Sequence, residues 1–263
     1  MDFQLNDKVA LVTGGSRGIG RETALMLADQ GMHVSICGRT GENLEKAAAD
    51  IRARGVKAWA IKADVSVMED IEKLVAQAAE DAGRIDVLVN NAVSSTSGTF
   101  DEMTDEHFRY HIDVKLMAYI RMARLVLPHM EKLDWGRIVN IGGNSARIVA
   151  PLRMTNGVVN AGVANFTKQF AVRAARHNVT VNLVHPGYTA TERIMQIFER
   201  EAKESGSDLE SVIAKRTRDI PLGRLVGPED IAAAVLFFCS PLADIVTGQC
   251  ISVDGGSGEA VIY

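Results

Sequence analysis

Thr13-Gly14-Gly15-Ser16-Arg17-Gly18-Ile19-Gly20 is the stretch that decides how this chain folds. Residues 8–13 leading into it are short, apolar and β-branched, which reads as a buried strand. Residues 19–30 leading out of it carry apolar positions at helical spacing and stop at Gly31. The glycines between strand and helix permit a tight turn and let an anion approach the backbone. The helix start adds free N–H groups and the positive end of its dipole. Gly14, Ser16, Arg17, Gly18, Ile19 and Gly20 are therefore candidate contacts for a bound pyrophosphate.

Outward from this turn, strand-like and helix-like segments alternate along almost the whole chain. Further strands are predicted at residues 33–37, 58–63, 87–90, 137–141, 179–184 and 250–253. Helices are predicted at 42–54, 68–82, 105–132, 155–176 and 228–239. Strands joined by right-handed crossover helices give an α/β fold with a doubly wound parallel sheet, a Rossmann-type three-layer sandwich. No linker or low-complexity tract interrupts it, so residues 1–263 read as one dinucleotide-binding domain. Residues 190–221 are charged and partly helical. They leave the carboxyl end of a strand, where such sheets bind ligands, and are expected to form a substrate lid.

Bulk properties exclude several classes. The chain has 263 residues, 47 % of them apolar, and a net charge of -4 without a block of like charges. Neither nucleic acid nor an anionic membrane is expected as a partner. The start, Met1-Asp2-Phe3, lacks the basic and apolar pattern of a signal peptide. No apolar run approaches the roughly 20 residues that span a bilayer. Cys37, Cys239 and Cys250 are too scattered for a disulfide framework or zinc site and read as reduced core cysteines. A cytoplasmic protein is expected.

Gly38 follows the second strand, in the place where an acid often binds the ribose hydroxyls of NAD, and Arg39 comes next. Two guanidinium groups, Arg17 and Arg39, favour a ribose 2′-phosphate, hence NADP(H) over NAD(H). Asp64-Val65 is placed to meet the adenine, with capping of the next helix as the other reading of Asp64.

At this point the chain resembles the short-chain dehydrogenase/reductase family in its single-domain form, over essentially its full length. The resemblance rests on the glycine turn, Asp64-Val65, Asn90-Asn91-Ala92 and Gly136-Arg137-Ile138-Val139-Asn140-Ile141. It continues through Pro186-Gly187, Thr191, Thr247-Gly248-Gln249 and Asp254-Gly255-Gly256. It implies hydride transfer between a nicotinamide and a carbonyl or alcohol carbon. By the same resemblance Asn91 lines the cofactor, and Pro186, Gly187, Thr189 and Thr191 meet the nicotinamide. The resemblance also implies a homotetramer, with one interface on the long central helices and another on the last strand and C-terminal tail.

The family's catalytic residues are asparagine, serine, tyrosine and lysine. Here those places hold Lys115, Gly143, Asn156 and Asn160, and the text after Asn160 fits the family's helix without a gap. Val93 also replaces the glycine that usually follows Asn-Asn-Ala. In the family the tyrosine protonates the carbonyl oxygen and the lysine lowers its pKa. An asparagine amide donates a hydrogen bond but is no acid near neutral pH. Loss of a general acid costs about 10²–10⁴ in rate, whereas orientation alone supplies effective molarities of about 10⁵–10⁸ M.

Lysine and asparagine have exchanged places, Lys115 for the usual asparagine and Asn160 for the usual lysine. The expectation is that the Lys115 ammonium binds the ribose or orders a proton relay; a helix-surface or interface lysine is the other reading. Asn156 and Asn160 lie four apart, share a helix face and are placed to hold a substrate carbonyl, unless both have drifted out of use. Tyr188 is a candidate substitute acid, or else a pocket wall. Ser94, Ser95 and Ser145 sit at strand ends on the same rim. His111, one turn before Lys115, reads more readily as a solvent or interface histidine. An apolar cluster of Ile194, Met195, Ile197 and Phe198 suits a partly apolar small-molecule substrate or simple packing. Enoyl-thioester reduction, and a cofactor-binding subunit without turnover, remain the alternatives to a ketone reductase.

Overall fold

A computed structural model describes residues 3–258. The first strand and helix, β1 (Val9–Thr13) and α1 (Gly18–Ala28), flank the glycine turn. They are followed by β2 (His33–Gly38), α2 (Gly41–Arg52), β3 (Ala58–Lys62), α3 (Met68–Ala82) and β4 (Val87–Asn90). The second half runs through α4 (Asp105–His111), α5 (Ala118–Leu133), β5 (Gly136–Ile141), α6 (Met154–Ala174) and β6 (Val179–Pro186). It closes with α7 (Glu192–Ser205), α8 (Leu209–Thr217), α9 (Pro228–Cys239) and β7 (Cys250–Val253). The strands form one seven-stranded sheet in the order β3-β2-β1-β4-β5-β6-β7, and every pairing is parallel. The chain builds outward from β1 to β3, then returns to the other side of β1 as β4. This reversal opens a crevice beyond the carboxyl ends of β1 and β4.

Both faces of the sheet are covered, which is why its strands read as continuous apolar runs. On one face Leu25, Ala48, Ile51 and Val235 of α1, α2 and α9 pack on Val12, Val34 and Ile36. On the other, Ile71, Met122, Val126 and Val163 of α3, α5 and α6 pack on Leu11, Leu88 and Ile138. Cys37 and Cys239 are buried and free, and burial pushes each thiol up to about 12. Among the described residues, no helix is long and apolar enough to cross a membrane.

Most predicted elements lie within two residues of the observed ones. The expected helix over 105–132 does not: a π-helical segment, Ile112–Met117, separates α4 from α5. A π turn inserts one residue and re-aims the side chains on it, and such bulges concentrate at functional sites. Lys115 lies on this segment. The strand expected over 179–184 continues to Pro186 because β7 pairs along it through Pro186↔Val253. Residues 190–221 fold as α7 and α8 with a small core of Phe198, Ala202 and Val212. The C-terminal tail beyond residue 258, expected at a subunit interface, lies outside the described residues, as do Met1 and Asp2 of the expected leaderless start.

The near end of the sheet is held by a buried carboxylate. Asp86 is fully buried, accepts the Val9 N–H at 2.8 Å and receives both Arg84 Nε (2.8 Å) and Nη2 (2.5 Å). Its charge holds the Arg84 guanidinium above its ordinary pKa. Asp86→Ala strands the Val9 N–H, and a buried donor without a partner costs about 1–3 kcal/mol. Urea unfolding should show a lower midpoint for this variant; an unchanged midpoint would refute the role of the clamp.

Candidate active site

The crevice between β1 and β4 opens into a cleft of ≈ 890 Å³. Its near wall is the glycine turn. Gly14 and Gly18 have φ of 66° and 54°, the left-handed region that glycine enters without strain. A side chain on Gly14 would also meet Asn91 and Ala92 at 3.0 Å. Thr13 Oγ1 accepts the N–H of Asn91 (2.9 Å) and of Ala92 (3.0 Å), while Asn91 Nδ2 donates to the carbonyls of Thr13 (3.0 Å) and Gly14 (3.2 Å). Gly14, Ser16, Arg17, Gly18, Ile19 and Asn91 all line the cleft. Gly20 stands behind them: a Cβ there would lie 2.3 Å from the Gly14 carbonyl, so Gly20 lets helix and turn pack.

These residues fit a dinucleotide. Arg17 caps α1 in an extended conformation without a side-chain cap bond, leaving the first N–H groups of the helix to face an anion. Arg39 lines the same end and bonds Tyr110 Oη at 3.5 Å. Asp64 and Val65 line the wall beside it. The Asp64 carboxylate accepts Ser66 N (2.9 Å) and Oγ (2.7 Å), so it shapes its own loop, while Val67 holds the cap position of α3.

The other end of the cleft holds Lys115, Gly143, Asn156 and Asn160. Lys115 is 4 % exposed and its Nζ donates to the Gly142 carbonyl at 2.9 Å. Burial lowers this ammonium from its ordinary 10.5 to about 7. The surface reading of Lys115 is thereby excluded. Tyr119, one turn on, is a buried phenol that donates to the Ile141 carbonyl and does not line the cleft. Burial pushes it well above a phenol's usual pKa.

Gly143 and Asn160 interlock. A Cβ on Gly143 would come within 2.7 Å of Asn160 Nδ2, so the amide fills the space above the glycine. Asn160 is 3 % exposed, donates to Ser145 Oγ at 3.0 Å, and its Oδ1 is buried without a partner. Asn156 Nδ2 donates to Ser95 Oγ at 3.3 Å. The Gly143 N–H donates to His185 Nδ1 at 3.0 Å, which places the proton of the neutral imidazole on Nε2. Burial first, then Arg147 and Lys115, lowers His185 to about 4, so it stays neutral.

Pro186, Gly187, Tyr188, Thr189 and Thr191 line the cleft together with Ser94, Ser95 and Ser145. Thr189 Oγ1 donates to the Gly187 carbonyl at 3.1 Å, and Thr191 approaches Gly18 across the cleft. Tyr188 is 37 % exposed, and the Arg153 guanidinium lies 5.7 Å from its ring centre. His111 contradicts its solvent reading: it is 2 % exposed, both ring nitrogens lack partners, and burial lowers it to about 4. The apolar cluster divides, with Phe198 packed inside the α7–α8 core and Ile194 and Ile197 lining the cleft. Sequence reasoning missed His185 and Arg153 as residues of the site. Arg153 was findable, since it stands one helical turn before Asn156.

A protein-family model described as enoyl-(acyl carrier protein) reductase matches residues 14–258. The chain is 38 % identical to "Short-chain reductase protein NovJ" of Streptomyces niveus, over 95 % of this chain and 94 % of that one. It is 33 % identical to "NADPH-dependent reductase BacG" of Bacillus subtilis, over 98 % and 100 %. L-sorbose reductase from Gluconobacter frateurii, complexed with NADPH and L-sorbose, superposes with a TM-score of 0.96 at 28 % identity, covering 99 % of this chain and 100 % of that one.

The Gly143–Asn160 interlock predicts a coupled pair. Gly143→Ala should destabilise by about 1–3 kcal/mol through overpacking. Asn160→Ala should relieve most of that cost, giving a coupling of about 0.5 kcal/mol or more in a double-mutant cycle read by thermal unfolding. Simple additivity would show that the two positions do not meet.

Proposed function

The chain belongs to the short-chain dehydrogenase/reductase family, and from that premise we propose that it is an NADP(H)-dependent oxidoreductase whose proton is handled by Lys115. The observation that carries this reading is the buried Lys115 ammonium, bonded to Gly142 beside Gly143 and Asn160. A donor with a pKa near the working pH is the most effective general acid, and burial brings this lysine to about 7.

The chain's own residues divide the work. The glycine turn and the start of α1 hold the pyrophosphate, and Arg17 and Arg39 hold the ribose 2′-phosphate. Thr189 and Thr191 position the nicotinamide, and residues 190–221 close over the substrate. When bound, the dinucleotide supplies a hydride to the carbonyl carbon, and the carbonyl oxygen takes one proton to become an alcohol. Asn156 has a second amide hydrogen beyond the one it gives Ser95, and that hydrogen orients the carbonyl oxygen. Lys115 then delivers the proton and is replenished from solvent. The reverse direction runs the same steps with neutral Lys115 as base.

The test is NADPH titration followed by turnover with ketones and enoyl thioesters across pH. Ketone reduction should fall as pH rises through about 7, because the ammonium form of Lys115 is lost there. Lys115→Met should lower kcat by about 10²–10⁴ and flatten that pH profile while NADPH still binds. Tyr188→Phe should leave the profile in place. Turnover confined to enoyl thioesters would make this an enoyl reductase. NADPH bound with neither substrate consumed would make it a cofactor-binding subunit.

We also infer a homotetramer. Val158 and Val172 are 54 % and 70 % exposed on α6, two apolar side chains on one face that a second copy would cover. Light scattering should give the mass of four chains; a monodisperse monomer would end this reading.

A further inference from the structure

The chain as a whole is acidic, yet eight lysines and arginines line the cleft against three acids. Arg17 and Arg39 answer to the cofactor's phosphates at the adenosine end. Arg153 and Arg193 stand instead toward Tyr188, Ser95 and Asn156, with Arg193 between Arg153 and Arg17 in the field of both. Arg193 Nη2 contacts Ser95 O at 3.3 Å and Ser95 Oγ at 3.4 Å, and the same Oγ receives the Asn156 amide at 3.3 Å. One hydroxyl oxygen therefore joins a guanidinium to the side chain that replaces the family's tyrosine. Arg153 stands one turn before Asn156 and lies over Tyr188, which shares the cleft wall.

Neither guanidinium has a carboxylate partner. The ion pairs of the described residues engage Arg216 with Glu201 at the same rim but leave Arg153 and Arg193 out. The cleft's acids are Asp64, Glu192 and Asp219, and Asp64 is at the far, adenine end. Arg193 stands at the exposed mouth of the cleft, and desolvation of its inner part, then the nearby Arg153 and Arg17, holds its guanidinium below its ordinary pKa. Unpaired arginines converging in a cleft are matched in shape and charge to a carboxylate, which they bind through paired N–H groups.

We propose that Arg153 and Arg193 clamp a carboxylate of the substrate, so that the substrate is an oxo acid, or the matching hydroxy acid, with its carboxylate a few bonds from the reacting carbon. Ile148, Ile194 and Ile197 on the cleft wall then face the rest of the molecule, which is apolar. This rests on the oxidoreductase reading of the same site, and binding tests it independently of turnover.

The experiment measures binding to the NADP⁺-loaded protein by calorimetry, using acetoacetate, phenylpyruvate, the methyl ester of each, and pantetheine 4′-phosphate. At least one of the two acids should bind tenfold or more tightly than its ester. Arg153→Gln and Arg193→Gln should each abolish that preference and leave NADPH affinity within about twofold of the parent. Acids and esters binding alike would overturn the proposal. So would a loss of NADPH affinity in both variants, which would assign the arginines to the cofactor. Pantetheine 4′-phosphate binding more tightly than either acid, with the advantage lost in Arg193→Gln, would give the anion to a carrier arm and overturn the free-acid assignment. A preference for acids without turnover would leave the clamp standing and remove only the oxidoreductase reading.

Discussion

The site depends on one knot of hydrogen bonds where the strand order reverses. Thr13 ends β1 and Asn91 follows β4. The Thr13 hydroxyl takes two backbone N–H groups from the β4 side, and the Asn91 amide returns to two carbonyls on the β1 side. The sheet alone joins these strands only as far as Val12↔Val89. Beyond that point the two chains would diverge with buried polar groups unpaired, which is costly. The knot keeps the crevice at a fixed width and sets the glycine turn opposite Ala92. Gly14, α1 and the loop carrying Ser94 and Ser95 all take their positions from it. It also means that the Asn91 side chain is a structural part of the cleft wall rather than a free donor for a ligand.

Chemistry at the other end follows from a trade of charge for packing. The cation on the π segment before α5 lies against the carboxyl end of β5, where Lys115 Nζ bonds the Gly142 carbonyl. Asn160 then occupies space that the missing side chain of Gly143 leaves open. A buried ammonium with one carbonyl partner is costly to keep, and a lowered pKa is the physical sign of that cost. Such strain is common where a group must change protonation during a reaction. The buried, unpartnered Oδ1 of Asn160 belongs to the same unsettled arrangement.

Much of this was legible in the sequence. Helices 68–82 and 228–239 matched residue for residue because Gly83 and Pro228 punctuate them. The glycine turn and the starts of most strands were readable for similar reasons. Three features were not. The π segment from Ile112 to Met117 adds a residue without breaking apolar spacing, so periodicity showed one helix. The burial of Lys115 and His111 depends on how that segment turns toward β5, which only tertiary packing decides. The approach of Arg153 and Arg193 was the third, since nothing local reveals that the starts of α6 and α7 carry their guanidinium groups to one stretch of cleft wall. Gly20 makes a related point: a motif glycine can serve the packing of a turn as well as its ligand.

The fit of the Asn160 amide over Gly143 bears on any attempt to rebuild this end of the cleft. A side chain at 143 would bring its Cβ within 2.7 Å of Asn160 Nδ2, so it enters only if that amide gives way. The amide is itself buried and bonded to Ser145, so its displacement reaches a third residue. Grafting one residue at a time would therefore meet a clash that a paired change avoids, and the two positions behave as a single unit of design.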